Sequence, residues 1–275
     1  MKSKITISLD ENILANIDYS IQSGNGKNRS AVIENILKER YGAFHDMTAI
    51  IFAHDYKWDN RDYPFDTPKS LLQVRGSSLL SSQIDAFSKS GIVHMIILIP
   101  EGTKELFEES IMMKYKHLNI SFIEIDPEIK TGAALRVALK EEKTDKNLLI
   151  SNGDIFYGNL SIEEYYQYHK EQKSDFSLCL KFVLNPEQLG NVQVHGNKII
   201  HFVEKPKASQ MNLTNSGLYI TTRKFLDSHN FGEYLEQDFF PKLPEICKNI
   251  GYVYPGEWEH IQNDSAYERV NGWLI

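Results

Sequence analysis

The sequence predicts an α/β protein, a mainly parallel sheet with helices on both faces, behind a small strand-helix-helix segment. Three observations lead there. From Thr48 onward, short apolar runs of strand type alternate with helical patterns, the rhythm of βαβ units. After residue 170 the strands shorten and are parted by turn signals such as His195-Gly196-Asn197, which predicts a smaller antiparallel lobe. Ahead of residue 44, one alternating run and two amphipathic patterns make a segment too small to bury its own apolar faces. Residues 1–44 and 48–275 are therefore read as two domains with a short junction.

In chain order, Lys4-Ile5-Thr6-Ile7-Ser8-Leu9 alternates strictly, with Ile5, Ile7 and Leu9 on one face and Lys4, Thr6 and Ser8 on the other. Asp10 is a good N-cap for a helix striped by Ile13, Leu14, Ile17 and Ile21. Gly24-Asn25-Gly26 breaks that helix, and Asn28 or Ser30 caps a second one striped by Ile33, Ile36, Leu37 and Tyr41. The strand has no partner within the segment. Pairing it with its copy in another chain predicts a homodimer through residues 3–42.

The large domain starts with a buried-type strand, Ala49 to Ala53, and a polar loop that ends at Pro68-Lys69-Ser70-Leu71-Leu72. A helix through Leu80, Ile84 and Phe87 stops at Gly91. Strand His94–Ile99 precedes a helix from Lys104 to Lys116, and strand Ile120–Ile125 precedes one with Ala134, Leu135 and Ala138. Strand Asn147–Ser151 runs into Asn152-Gly153-Asp154. Strands 176–183, 191–195 and 198–203 form the antiparallel lobe, and a helical tail closes the chain. In such sheets, ligands bind beyond the carboxyl ends of the strands.

Composition narrows the function classes. With 41% hydrophobic and 24% charged residues, the chain has an ordinary globular make-up, which argues against disorder. Its net charge of −7 is uneven: residues 1–42 hold six Lys/Arg against five Asp/Glu, leaving 24 against 32 for the rest. An acidic body is a poor general nucleic-acid binder, so any DNA contact falls to the N-terminal segment. Cys179 and Cys247 lie far apart, in no metal-type spacing, and are read as free thiols. The opening MKSKITISLD lacks the apolar stretch of a signal peptide, and no apolar run reaches membrane-spanning length. A cytoplasmic location is expected.

Residues 3–42 resemble the ribbon-helix-helix family of DNA-binding dimers. That resemblance implies an antiparallel ribbon in the major groove, with Lys4, Thr6 and Ser8 facing base edges. It also implies that Asn28-Arg29-Ser30 offers backbone N–H groups to a phosphate.

Residues 48–275 resemble the sugar-1-phosphate nucleotidyltransferases, through six fragments in the family's order. Pro68-Lys69-Ser70-Leu71-Leu72 is similar to PKxLL, Thr131-Gly132-Ala133-Ala134-Leu135 to the GTAxAL helix start, and Asn152-Gly153-Asp154 to the strand-end aspartate motif. Phe202-Val203-Glu204-Lys205-Pro206 is similar to FxEKP, Asn215-Ser216-Gly217-Leu218-Tyr219 to NAGIY, and Trp258-Glu259-His260-Ile261 to WxDIG. The resemblance implies a Rossmann-like, GT-A-like mixed sheet. It further implies attack of a sugar phosphate on the α-phosphorus of a nucleoside triphosphate, aided by Mg²⁺ or another divalent metal.

Against that pattern, the loop from Phe52 to Asn60 lacks every glycine of the family's LAGGxGTRLxP, and Asp59 stands where its catalytic arginine would be. Three acids between Asp55 and Asp62 outweigh Lys57 and Arg61, which predicts repulsion of a triphosphate. Asp154 matches one metal ligand, whereas His260 replaces the second aspartate, a change that suits a transition metal better than Mg²⁺. Gly190, Glu204, Lys205, Asn215 and Gly217 match positions for the sugar and its phosphate, and Lys69 adds a cation. Asp154, Lys69 and Lys205 are thus the candidate catalytic residues. Weighing the loop most heavily favours a pseudoenzyme: a dimeric DNA-binding transcription regulator whose degenerate domain binds a sugar phosphate or nucleotide sugar. The alternatives are a divergent active nucleotidyltransferase dimerised by its N-terminal domain, and an inactive regulatory partner of an active enzyme.

Overall fold

Met47, Ala49, Ile50 and Ile51 are wholly buried, and such a run of apolar, partly β-branched residues can satisfy its backbone only as an inner strand with neighbours on both sides. In the computed structural model, which describes residues 6–37, 44, 47–58, 62, 64–142, 146–208 and 211–272, this run is strand β1, Met47–Phe52. It lies parallel to β2 (His94–Pro100), which lies parallel to β3 (Asn119–Ile125). On its other side is β4 (Asn147–Asn152), also parallel, so that Ile50 faces Ile96 on one neighbour and Ile150 on the other.

A tight turn after β4 leads to β5 (Ile155–Tyr157). The strands β6 (Phe176–Phe182), β7 (Gly190–His195), β8 (Lys198–Glu204) and β9 (Leu213–Thr222) follow, then β10 (Asn249–Val253) and β11 (Trp258–His260). The main sheet runs β8-β7-β9-β4-β1-β2-β3, with β6 beside β9 and β10 beside β6. The expected α/β fold with a mixed sheet is present. The antiparallel strands, however, are no separate lobe: β9 pairs directly with β4, Tyr219 opposite Ile150, and continues the same sheet. The predicted helical tail also contains β10 and β11, and β11 pairs with β5 so that His260 lies opposite Ile155.

The chain divides into two units, Met1–His45 and Asp46–Ile275. In the first, helix α1 spans Glu11–Gln22 and helix α2 spans Arg29–Leu37. The Asp10 carboxylate caps α1 by accepting from the Asn12 N–H (2.8 Å), and the Asn28 side chain caps α2 by accepting from the Ala31 N–H (2.9 Å). Ile17 and Val32 are buried, while Ile13, Ile36 and Leu37 are exposed, so the second helix turns Val32 inward instead of the expected Ile36-Leu37 stripe. Thr6 to Asp10 form no strand, and no described residue of the first unit is in a strand that could pair with them. Lys4, Ile5 and Tyr41 lie outside the described residues.

In the second unit, helix α3 (Leu79–Lys89) is capped by the Ser78 hydroxyl, which accepts from the Ser81 N–H. Helix α4 (Lys104–Phe107) gives way to a π-turn over Glu108–Met112 and does not run on to Lys116. Helix α5 (Thr131–Glu141) buries Ala134, Leu135 and Ala138 against the sheet core. No helix among the described residues is long and apolar enough to cross a membrane.

One buried side chain on α3 shapes the strand ends. The Gln83 amide donates to the carbonyls of Asn152 and Ile155 (2.9 Å each) and accepts from the Ser151 hydroxyl (3.0 Å). Replacing Gln83 with Ala removes all three of these hydrogen bonds, leaving the Ser151 hydroxyl and the Asn152 carbonyl only their longer contact with each other at 3.3 Å. We expect a loss of about 2–4 kcal/mol in unfolding free energy, measured by urea denaturation of the full chain.

Candidate functional site

β1 and β4 end side by side, Phe52 opposite Asn152, and the chain must turn sharply to leave both. The Gly153 N–H donates to the Phe52 carbonyl (2.9 Å), and a Cβ at Gly153 would come within 2.8 Å of that same oxygen. Glycine is required by this close approach. It places the next residue, Asp154, at the strand ends with its backbone carbonyl accepting from the Ile261 N–H (2.9 Å). β11 thereby comes alongside, and the His260 Nε2 meets the Asp154 Oδ2 at 2.8 Å.

Lys69 reaches the same carboxylate from a 3-10 turn, Lys69–Leu71. Its ammonium is 3.4 Å from Asp154 Oδ2 and 2.8 Å from Asp55 Oδ2, with only 2% of the residue exposed. Burial works against the Lys69 charge, yet Asp154 and Asp55 outweigh it and raise its pKa. At Asp154, burial favours the neutral acid, but His260 and Lys69 overcome this and hold the carboxyl well below the usual range.

The loop after β1 is built differently from its sequence-based expectation. Asp55 is no bare acid: its Oδ1 accepts from the Lys57 N–H (2.9 Å) while its Oδ2 takes the Lys69 ammonium. The Lys57 ammonium pairs with Glu128 at 3.0 Å. The like-charge repulsion predicted for this loop is therefore answered, at Asp55, by a cation the chain supplies itself. Asp59 and Arg61 lie outside the described residues. His54, in place of a family glycine, is buried, and burial lowers its pKa. Its Nδ1 has no hydrogen-bond partner among the described residues.

Beside Asp154 opens a cavity of about 200 Å³, lined by Asn152, Gly190, Glu204, Lys205, Asn215, Gly217, Glu236, Trp258 and His260 among others. The candidate sugar-side residues are thus brought together, and with Asp154 and His260. Two glycines leave room for it. A Cβ at Gly190 would press on the Phe202 ring and on Glu204 Oε2, and one at Gly217, whose φ is +80°, would overlap Ile155. Asn215 is spent on shaping this floor: its Oδ1 accepts from the Gly217 N–H (3.0 Å) and its Nδ2 donates to the Tyr219 hydroxyl (2.8 Å). Lys205 sits in the left-handed region, φ +44°, a strained conformation for a side chain of this kind.

Glu204 Oε2 is buried with no partner among the described residues, as is Asn152 Oδ1, so the cavity presents acceptors that await donors. Glu236 was not visible from sequence as a site residue. It is held by the Thr131 hydroxyl at 2.6 Å, and the Thr131 oxygen accepts in turn from the Leu235 N–H at 3.0 Å. The start of α5 is also closed: the Gly132 and Ala133 N–H groups both donate to the Glu233 carbonyl (2.8 and 3.2 Å), which leaves neither for a phosphate. Gln83, Asp55 and Glu236 are the residues that sequence reasoning missed. Only Gln83, a polar residue among the apolar positions of α3, carried a signal that could have found it.

A divalent ion is the one group the family resemblance implies, and the described residues do not fit it. Mg²⁺ is held by oxygen ligands that converge on open space. Here the Asp154 oxygen facing His260 and Lys69 is engaged by both, and the second carboxylate, Asp55, converges on an ammonium. Among the described residues, no three His, Cys, Asp or Glu side chains form a metal cage.

Of the candidate DNA-contacting residues, Lys4 lies outside the described residues, Thr6 and Ser8 are exposed and outside any strand, and the others are occupied locally. The Arg29 guanidinium makes two hydrogen bonds to Asp18 (2.7 and 2.6 Å), Asn28 is a cap, and Ser30 lies within α2.

Comparison with known proteins gives a consistent result. A family model described as nucleotidyl transferase matches residues 64–271. A mannose-1-phosphate guanyltransferase beta-B of Xenopus laevis is 25% identical over 221 residues, covering 78% of this chain and 61% of that protein. A D-glycero-alpha-D-manno-heptose 1-phosphate guanylyltransferase of Aneurinibacillus thermoaerophilus is 28% identical over 210 residues, covering 75% and 89%. The chain spans about three fifths of the length of several curated relatives it matches. In structure, HddC of Yersinia pseudotuberculosis superposes with a TM-score of 0.69 at 18% identity, over 83% of this chain and 99% of that one, a likeness of fold. Relatives named for nucleotidyl transfer overturn the reading of the chain as a DNA-binding regulator with a dead domain.

The buried acid in the cavity yields a stability test. Burial, reinforced by Glu236, pushes the Glu204 pKa up to about 7, while Lys205 and His260 pull against the rise. The folded chain keeps this proton to about pH 7, whereas the unfolded chain releases it near its ordinary 4.5, so stability falls as pH rises through that window. Glu204→Gln cannot titrate. Its unfolding free energy, measured by urea denaturation at several pH values, should gain on the parent by about 2–3 kcal/mol between those limits.

Proposed function

This chain belongs to the nucleotidyl transferase family, and from that premise we propose that it is a divergent sugar-1-phosphate nucleotidyltransferase. The observation that carries the reading is the junction of two features: a buried Lys69 ammonium on Asp154, and a donor-seeking cavity beside it. The sugar 1-phosphate occupies the cavity, its hydroxyls donating to Glu204 and Glu236. Its phosphate faces Lys205, whose left-handed backbone sets the ammonium at the rim. The phosphate oxygen attacks the α-phosphorus of the triphosphate. A new P–O bond forms as the α–β bond breaks, and pyrophosphate leaves.

A phosphate monoester is already anionic, so the protein's task is positioning and charge stabilisation rather than proton removal. Lys69 uses two of its three N–H donors on carboxylates and retains one for a phosphate oxygen. His260 fixes Asp154 from the other side. With the loop glycines gone, the triphosphate is held by side chains more than by backbone N–H groups. Relatives named as guanylyltransferases make GTP the first triphosphate to try, with mannose and heptose 1-phosphates as first acceptors.

The first unit serves as a dimerisation element. Ile7, Leu9, Ile13, Ile36 and Leu37 are exposed on a unit of 45 residues, an apolar surface that a second copy of residues 3–42 would cover.

Pyrophosphate release should appear with GTP supplied as its Mg²⁺ complex and a panel of sugar 1-phosphates. Lys69→Ala should lower kcat/KM by about a hundredfold or more, the usual scale for removing one charge-stabilising donor. No turnover on any triphosphate and sugar pair would reject the reading. Separately, Ile13→Glu with Ile36→Glu should convert a dimer into a monomer in sedimentation. An unchanged oligomeric state would remove the first unit from that role.

A further inference from the structure

We infer that Lys69 is a built-in cation standing in the place of a resident divalent ion. Two carboxylates from different parts of the chain, Asp55 after β1 and Asp154 after β4, converge as they would around a dication. What lies between them is the Lys69 ammonium, 2.8 Å from one and 3.4 Å from the other. This is a built arrangement. Lys69 is 2% exposed, and the neighbouring Ser70 hydroxyl donates to the Ala53 carbonyl (3.2 Å), which ties the lysine's turn to the end of β1.

The remaining groups close the site in the same sense. Asp55 has its other oxygen on the Lys57 N–H, so it cannot swing away without breaking the loop turn. Asp154 Oδ2, the oxygen nearer Lys69, is shared with His260 Nε2. A dication entering here would have to displace an ammonium held by two carboxylates, or lie against it at close range. Like charges at that separation repel strongly in a poorly solvated site. The two acids and one lysine leave a single net negative charge, which needs no dication to balance it. In this chain, any divalent ion in the reaction therefore enters with the triphosphate as part of the substrate. Asp55 is a positioning residue that acts through Lys69.

The inference concerns the same site as the proposed reaction, but its test uses the full chain and Mn²⁺ alone, with neither sugar nor triphosphate. It therefore stands or fails apart from turnover. Free Mn²⁺ is followed by electron paramagnetic resonance and thermal unfolding is followed in parallel, since a metal bound only by the folded state raises the melting temperature. The parent protein should bind no Mn²⁺ up to roughly millimolar concentration. Lys69→Ala, which vacates the space between the carboxylates, should bind it at least about tenfold more tightly and be restabilised by it. Should Lys69→Ala prove insoluble, Lys69→Gln takes its place, and the parent measurement still decides on its own. Tight Mn²⁺ binding by the parent that is lost in Asp154→Asn would overturn the inference. A folded Lys69 variant that gains no affinity would overturn it equally.

Discussion

The level at which β1 and β4 stop governs the rest of this molecule. Both strands are buried and in parallel register, Phe52 opposite Asn152, so their last residues emerge at one height. The hydrogen bond from the Gly153 N–H to the Phe52 carbonyl then permits only a glycine between the strand and Asp154. Gln83 locks that turn from α3, with three hydrogen bonds in a buried setting where each unmade bond is costly. From this geometry follow the position of Asp154, the pairing of β11 beside β5, and the arrival of His260. A slip of one residue in β1 would exchange its two buried faces, break its register with both neighbours and dissolve all of these together.

Much of this was legible from residues alone, for identifiable reasons. Runs such as Met95 to Ile99 can only be inner strands, so the parallel half of the sheet was visible. The antiparallel half was misread as a separate lobe because strand alternation reports which face is buried and says nothing about which strand lies alongside. β10 and β11 escaped because each is short, β10 following a short helix, Leu243–Ile246, and β11 following Pro255-Gly256. Motif order singled out Glu204, Lys205 and Gly217, which line one cavity, but it could not reveal Glu236, which is held by a hydroxyl more than a hundred residues away at Thr131.

The loop after β1 shows why a count of charges is a weak guide to chemistry. Read linearly, Asp55 adds to an acidic stretch hostile to phosphates. Folded, it is the main partner of a buried ammonium, and its charge organises the cation that the proposed reaction needs. Salt bridges this well buried are poor evidence of net stability, because desolvation offsets much of their attraction, but they do fix where a side chain sits. Here the fixed object is Lys69.

Lys205 carries a different lesson. Its backbone lies where glycine or asparagine would rest more comfortably, directly ahead of Pro206, and yet a long cationic side chain occupies it. Any optimisation of this protein guided by folding stability alone would choose to replace that residue, and would strip the cavity of its rim charge in doing so. On the proposed reading, thermal robustness and ligand recognition pull in opposite directions at one residue. A stabilised variant of this chain should be judged first by what it has kept at position 205.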